Sequence, residues 1–379
     1  MRWFTRRRLR MVSVLAVVVL AAGWVTILAT PSTSSTSWTI DRSFFHAPGN
    51  NGGVELNDLA CPSSGVCVAV GQGGGLTNGV AYRTFNAGKT WRPSFFPNLF
   101  LSSVSCPTAR FCAAAGYSPL SGTPSGGAIW ITEDGGAKWV RSLLPGGAPP
   151  AVGTVFCSRS GHCLAEVQWS DLVSGILRSV DRGRQWTLVE KLPRDEELGD
   201  VMCATESLCF AGGSHDFRHA LILRSTDGGA AWRVELPTSP PAAYIQDISC
   251  PSSSDCVGVG SWDPETANIY DLATGNVGSI WISHNAGQDW SLVQLPEDVG
   301  DLSSVSCTSP QICEAAGQNS SDTGIVLKTD SSGWGWFIHA QVGTVMGFSA
   351  VACTEQTRCW LSADGNANPE EGGGILWIR

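Results

Sequence analysis

The fourteen cysteines of this 379-residue chain fall into seven pairs: 61/67, 106/112, 157/163, 203/209, 250/256, 307/313 and 353/359. Each pair encloses five residues, successive pairs lie 45 to 57 residues apart, and no cysteine is left over. The text around the pairs recurs, as in VSCPTARFCAAAG, ISCPSSSDCVGVG and VSCTSPQICEAAG. An apolar strand reaches the first cysteine, a Pro/Ser/Thr loop follows, and a small-residue strand leaves the second. A period of this length marks a repeat architecture. Thiolate zinc sites use spacings of about two to four residues and recruit a second pair or histidines. Here His162 alone lies inside a pair. The spacing instead predicts seven local disulfides: Cys61–Cys67, Cys106–Cys112, Cys157–Cys163, Cys203–Cys209, Cys250–Cys256, Cys307–Cys313 and Cys353–Cys359. Closing so short a loop raises the free energy of the unfolded chain by roughly 2 kcal/mol per bridge in the chain-entropy model.

A second motif follows each of the first five pairs: TFNAGKTW (84–91), TEDGGAKW (132–139), SVDRGRQW (179–186), STDGGAAW (225–232) and SHNAGQDW (283–290). TDSSGWGW (329–336) is a degraded copy with Ser331 at the acidic position. In the pattern Ser/Thr-x-Asp/Asn-x-Gly-x-x-Trp, the acidic or amide side chain caps a turn, glycine takes the left-handed conformation, and tryptophan packs back on the sheet. These segments resemble the Asp-box repeats of sialidases, sortilins and photosystem assembly factors, over residues 38–379. The resemblance implies a structural role for the box, so Asp134, Asp181 and Asp227 are assigned to folding. Four strands per repeat make a propeller blade. The expected fold is all-β: a seven-bladed β-propeller with one disulfide per blade. The seventh repeat ends at Arg379 before any box, while SWTIDRSFF (37–45) aligns with TWRPSFF (90–96), so the N-terminal strand is expected to complete the last blade.

The N-terminus has its own logic. Residues 1–10 carry five arginines and no acid, and residues 11–29 (MVSVLAVVVLAAGWVTILA) carry no charge. At about 1.5 Å per residue such a helix spans a bilayer's hydrocarbon core. The arginines before it predict a cytoplasmic N-terminus and an external body. A cleaved signal peptide is the competing reading, and TRRRLR (5–10) also resembles a twin-arginine export motif. Residues 30–37 read as a linker to the propeller at 38–379. The abundance of arginine over lysine suggests a bacterial surface protein. The formal charge of −9 combines five arginines in residues 1–10 with 19 basic and 33 acidic residues after them, so the body carries −14, which repels phosphate backbones and disfavours nucleic acid as a partner.

Disulfide loops and box turns should share one face. Ligands are then expected on the opposite face, built by loops such as 168–175, 212–220, 261–278 and 363–374. The 57-residue step across the fifth blade places an insertion in loop 261–278, and insertions in repeat arrays tend to sit on the binding face. The candidate ligand-binding residues are Trp262, Asp263, Glu265, Asn268, Tyr270 and Asp271 of that loop. Trp169 and Asp171 of the third blade join them, with His215, Asp216, Arg218 and His219 of the fourth. Aromatic rings beside carboxylates suit sugar stacking or capture of a basic peptide. The bland readings are a tolerated insertion and a solvated polar loop. The same applies to Asp364, Glu370 and Glu371.

Sialidases need an arginine triad, a tyrosine nucleophile with a glutamate partner, and an aspartate acid. This chain has no Arg-Ile-Pro strand near its N-terminus and only four tyrosines, 82, 117, 244 and 270. Tyr82 and Arg83 precede a box and read as structural. The expectation is a non-catalytic, monomeric, extracytoplasmic module for a protein, peptide or glycan, without catalytic residues, metal or cofactor. An exo-sialidase-like or other glycoside hydrolase is the alternative.

Overall fold

A computed structural model describes residues 54–378 apart from 74–77, 119–125, 147–150, 170–172, 238–239, 241–242, 264–275, 331–334, 344, 356–357 and 364–373. The described residues form seven antiparallel sheets in chain order, six of four strands and a seventh of three. The fold is a seven-bladed β-propeller. The first strands of the blades (Glu55–Ser63, Phe100–Ser105, Ala151–Cys157, Glu196–Cys203, Ala243–Ser249, Leu302–Ser309 and Phe348–Glu355) contact one another in a closed ring and so line the axis. The N-terminal strand expected to complete the seventh blade, and the apolar segment 11–29, lie outside the described residues. Among the described residues no helix is long and apolar enough to cross a membrane.

Apolar side chains of adjacent blades interleave into seven clusters, one at each blade–blade interface. The second strands are sandwiched on both sides, which explains their small residues: Ala113, Ala114 and Ala115 are each fully buried. The seventh blade packs on the first through Ala350, Trp360 and Ile375 against Leu56 and Val80. The ring therefore closes through the core.

All seven predicted disulfides are present, one per blade, and no free cysteine occurs among the described residues. The box turns lie beside them. Gly135 donates its N–H to Arg110 O at 2.8 Å and Gly228 to Ser207 O at 2.8 Å. In the first, third and fifth blades Ala87, Arg182 and Ala286 make the corresponding bond to Gly65, Gly161 and Ser254. Disulfide loop and box turn thus share a face in five blades. Within the turn, Ser225 Oγ donates to Asp227 Oδ1 at 2.8 Å and accepts the Gly229 N–H at 2.9 Å. Asp227 Oδ1 accepts the amides of Ala230 and Ala231 at 3.0 Å. Thr132/Asp134 and Ser179/Asp181 repeat the pattern.

A bulge interrupts most first strands four residues before the cysteine. Bulges re-aim side chains, and here they point them at the next blade. Asn57 Nδ2 donates to Leu101 O at 2.8 Å, Ser102 Oγ to Val152 O at 2.9 Å, and Ser349 Oγ to Leu56 O at 2.6 Å. Opposite the bulge, five of these six second strands carry glycine (Gly71, Gly116, Gly213, Gly260 and Gly317), and the seventh blade carries Ala363. A Cβ on Gly116 would lie 1.8 Å from Phe100 O, and one on Gly213 would lie 1.8 Å from Glu197 O.

Candidate functional site at the axial mouth

Because each disulfide closes one end of the first hairpin, the N-terminal ends of the first strands open on the other face. The position six residues before each first cysteine holds Glu55, Phe100, Ala151, Glu197, Tyr244, Asp301 and Gly347 around the axis. Three of these are carboxylates and two are aromatic.

Side-chain amides hold the carboxylates. Gln72, paired with Glu55 across the first hairpin, donates to its carboxylate. Gln168 Nε2 reaches from the third blade to Glu197 Oε1 of the fourth at 2.9 Å. Asn276 Nδ2 donates to Asp301 Oδ1 at 3.0 Å and Gln318 Nε2 to Asp301 Oδ2 at 3.3 Å. Such partners orient a carboxylate. The aromatic members are braced as well. The Phe100 and Tyr117 rings meet at 5.8 Å and 74°. Tyr244 lies across the blade boundary on Gly199, where a Cβ would stand 2.9 Å from its hydroxyl.

Beneath this ring sits Glu166, 4% exposed. Burial pushes its carboxyl up to about 8, the nearby charge of Glu197 adds to the shift, and the amides of Gly153 and Thr154 partly offset it. Glu166 is therefore neutral at pH 7. It is too enclosed to touch a ligand, so Glu166 and Glu197 do not form the open acid/base pair that glycoside hydrolysis requires.

The sequence-predicted residues that are described, Trp169, His215, Asp216, Arg218, His219, Trp262 and Asp263, fall on blades three to five of this same face. Trp169 folds back over its own blade: its ring lies on Gly175, and Lys191 Nζ stands 4.8 Å from the ring centroid. His215 and His219 pair across the tip of the fourth blade's hairpin, where Asp216 and Phe217 take left-handed φ values of 50° and 55°. Each histidine has its own carboxylate. His215 Nδ1 lies 2.9 Å from Glu196 Oε1 and His219 Nδ1 lies 2.8 Å from Asp216 Oδ1. Arg218 is exposed beside them. The cluster is thus two separate pairs rather than one converging set. Trp262 is half-buried against the interface core of blades four and five, and Asp263 is buried at 5% exposure. Glu265, Asn268, Tyr270 and Asp271 lie outside the described residues, as do Asp171, Asp364, Glu370 and Glu371. Among the described residues, the one group of three metal-capable side chains close together is Glu314, Cys353 and Cys359. Both of its cysteines are consumed in a disulfide, so it offers no thiolate.

The site defines a class: a propeller whose open face carries an axial ring of carboxylates and aromatic rings. No protein-family model matches the chain, and no curated protein matches it. Solved structures do. A structure of YCF48 bound to D1 peptide is 16% identical, with a TM-score of 0.59 over 89% of this chain and 99% of that one. A GH74 xyloglucanase from Xanthomonas campestris is 16% identical at a TM-score of 0.59, over 86% of this chain and 54% of its own length. The WD40 repeats of RRP9 are 10% identical at a TM-score of 0.61, over 90% of this chain and 100% of theirs. At these identities the likeness is one of fold.

Proposed function

We propose that the protein is a non-catalytic binding or scaffold propeller whose ligand docks on the face opposite the disulfides, and that a peptide segment of basic character is the best-fitting ligand. The observation that carries this reading is the mouth ring, in which Glu55, Glu197 and Asp301 alternate with Phe100 and Tyr244 at one register position. Carboxylates oriented by amides supply charge for Lys or Arg, and the rings supply rigid contact area. The structural likeness to YCF48, whose structure holds D1 peptide, supports peptide capture as a use of this fold. The likeness to a xyloglucanase supports a glycan as the second reading, in which Trp169, Trp262 and the insertion around Tyr270 stack on sugar rings. We read the Ser/Thr-x-Asp/Asn-x-Gly-x-x-Trp turns as Asp boxes with a structural role. We place the body outside the membrane, tethered through residues 11–29 or released by signal cleavage.

The test is binding of the full-length protein to arrays of basic peptides, acidic peptides and glycans. The combined variant Glu197→Gln and Asp301→Asn should keep its fold and lose basic-peptide binding. A second variant with loop 264–275 replaced by two glycines reports on the insertion. Glycan binding lost on loop replacement, with no capture of basic peptides, would replace the peptide reading with the sugar one.

A further inference from the structure

We infer that the groove between the outer edges of the first and second blades is a separate binding site, for an extended peptide that sets an apolar or proline side chain on an aromatic floor and a carboxylate against Arg141. The outer strand of the first blade, Arg92–Pro97, pairs along most of its neighbour. That of the second blade is only Val140–Arg141 and pairs with Trp130 and Ile131 alone. Where it stops short, a cavity of about 610 Å³ opens between the two blades, a volume typical of ligand sites.

The chemistry of the walls selects the occupant. Phe96 stands between two tryptophans, edge-to-face with Trp130 at 5.4 Å and 74° and with Trp139 at 5.8 Å and 72°. Phe96 is itself only 4% exposed, so the half-buried Trp130 and Trp139 form the ridged floor above it. A pyranose stacks on a flat exposed ring face, whereas a proline or branched apolar side chain wedges between ridges. Phe95, 45% exposed, and Val140, 64% exposed, extend the apolar surface. The polar side chains of the lining are Ser94, Asn98, Ser118 and Arg141; the Ser94 hydroxyl already donates to Gly136 O at 3.2 Å, and the indole N–H groups of Trp130 and Trp139 are buried.

Charge fixes the remaining feature. Among the described residues Arg141 is the only charged one lining the cavity, in a chain whose formal charge is −9. A guanidinium beside an apolar floor suits a carboxylate. Pro93 and Pro97 withhold N–H groups from the first blade's outer edge, so recognition runs through side chains rather than through strand addition. The fifth blade provides the contrast. Its outer strand is equally short, Ser291–Leu292, but Trp281, at the place of Trp130, is fully buried.

The experiment is selection of phage-displayed random linear peptides on the full-length protein. The expected consensus places Asp or Glu near Pro or a large apolar residue. Arg141→Glu should weaken the selected peptides about tenfold, the scale of one charge-assisted hydrogen bond, and a repeat selection on that variant should favour Lys or Arg instead. Arg141 is exposed on an edge strand, so an unchanged melting temperature certifies the variant's fold. Glu197→Gln, at the axial mouth, should leave these peptides bound, which separates this site from the mouth. Enrichment of peptides without acids, equal binding by Arg141→Glu, no enrichment at all, or Arg141-dependent binding of an acidic oligosaccharide in place of peptide would each overturn the assignment.

Discussion

Asp58 Oδ2 in the first blade accepts the backbone N–H of Val104 in the second at 2.7 Å, while its Oδ1 accepts Leu59 N–H at 2.7 Å. The same register position, three residues before the cysteine, links other blades around the axis. Asp200 accepts Ile248 N–H at 3.2 Å, Asp247 accepts Val305 N–H at 2.8 Å, and Ser103 and Ser304 accept Val155 and Val351 N–H at 3.2 Å. Half-buried carboxylates thus knit the inner ring, and they do so at the cost of desolvation.

That cost gives the protein an inverted pH profile. Burial pushes Asp58 up to about 7 and Glu166 up to about 8, and it raises Asp200 and Asp247 as well. In the unfolded chain such groups release their protons near pH 4. Their contribution is therefore full below about pH 4 and is lost as pH rises through 7 to 8. The exposed turn aspartates act oppositely: the Ala231 amide lowers Asp227 and the Lys138 amide lowers Asp134, a smaller contribution that is lost on acidification. The melting temperature should fall between pH 5 and pH 9. Asp58→Asn keeps an acceptor for Val104, removes one of the four ionisations and should make the fall shallower. A melting temperature that rises over that range would contradict this assignment.

Gly116 and Gly65 separate close approach from mere flexibility. A Cβ on Gly116 would overlap Phe100 O, whereas nothing lies within 4 Å of one on Gly65. Gly116→Ala should cost on the order of 3 kcal/mol or abolish folding, and Gly65→Ala should be close to neutral. Equal midpoints in chemical denaturation for the two variants would refute the bulge geometry.

The disulfides act blade by blade. Replacing both Cys203 and Cys209 by alanine should destabilise the fold by roughly 2 kcal/mol, as expected for a short closed loop. Full reduction should lower the melting temperature far more than this single deletion. Peptide mapping without reduction should recover seven local bridges, and cross-blade links would disprove the pairing seen here.

The cysteine spacing carries most of the fold because it samples one register position in every blade. The shared face of the disulfide and box turns was legible for the same reason. The axial ring was not. Glu55, Phe100, Glu197, Tyr244 and Asp301 look unrelated until the bulge at residues such as Asn57 and Ser102 is counted, since an extra residue shifts which side chains face the axis. Its only trace in the text is the fixed offset of six from each first cysteine. Glu166 is hidden more deeply, because neither its strand nor its spacing reveals that Gly153 leaves room beneath the bulge for a carboxyl group. The histidine cluster was legible as a hairpin tip, but its division into His215–Glu196 and His219–Asp216 depends on a partner nineteen residues away.

The most direct test of ligand capture at the axial mouth is amide hydrogen exchange on the full-length protein, with and without the tightest basic peptide from the arrays. Protection should appear around residues 55, 100, 197, 244 and 301 and vanish in the Glu197→Gln, Asp301→Asn variant. Protection confined to the disulfide loops and box turns, with the mouth unchanged, would contradict the account.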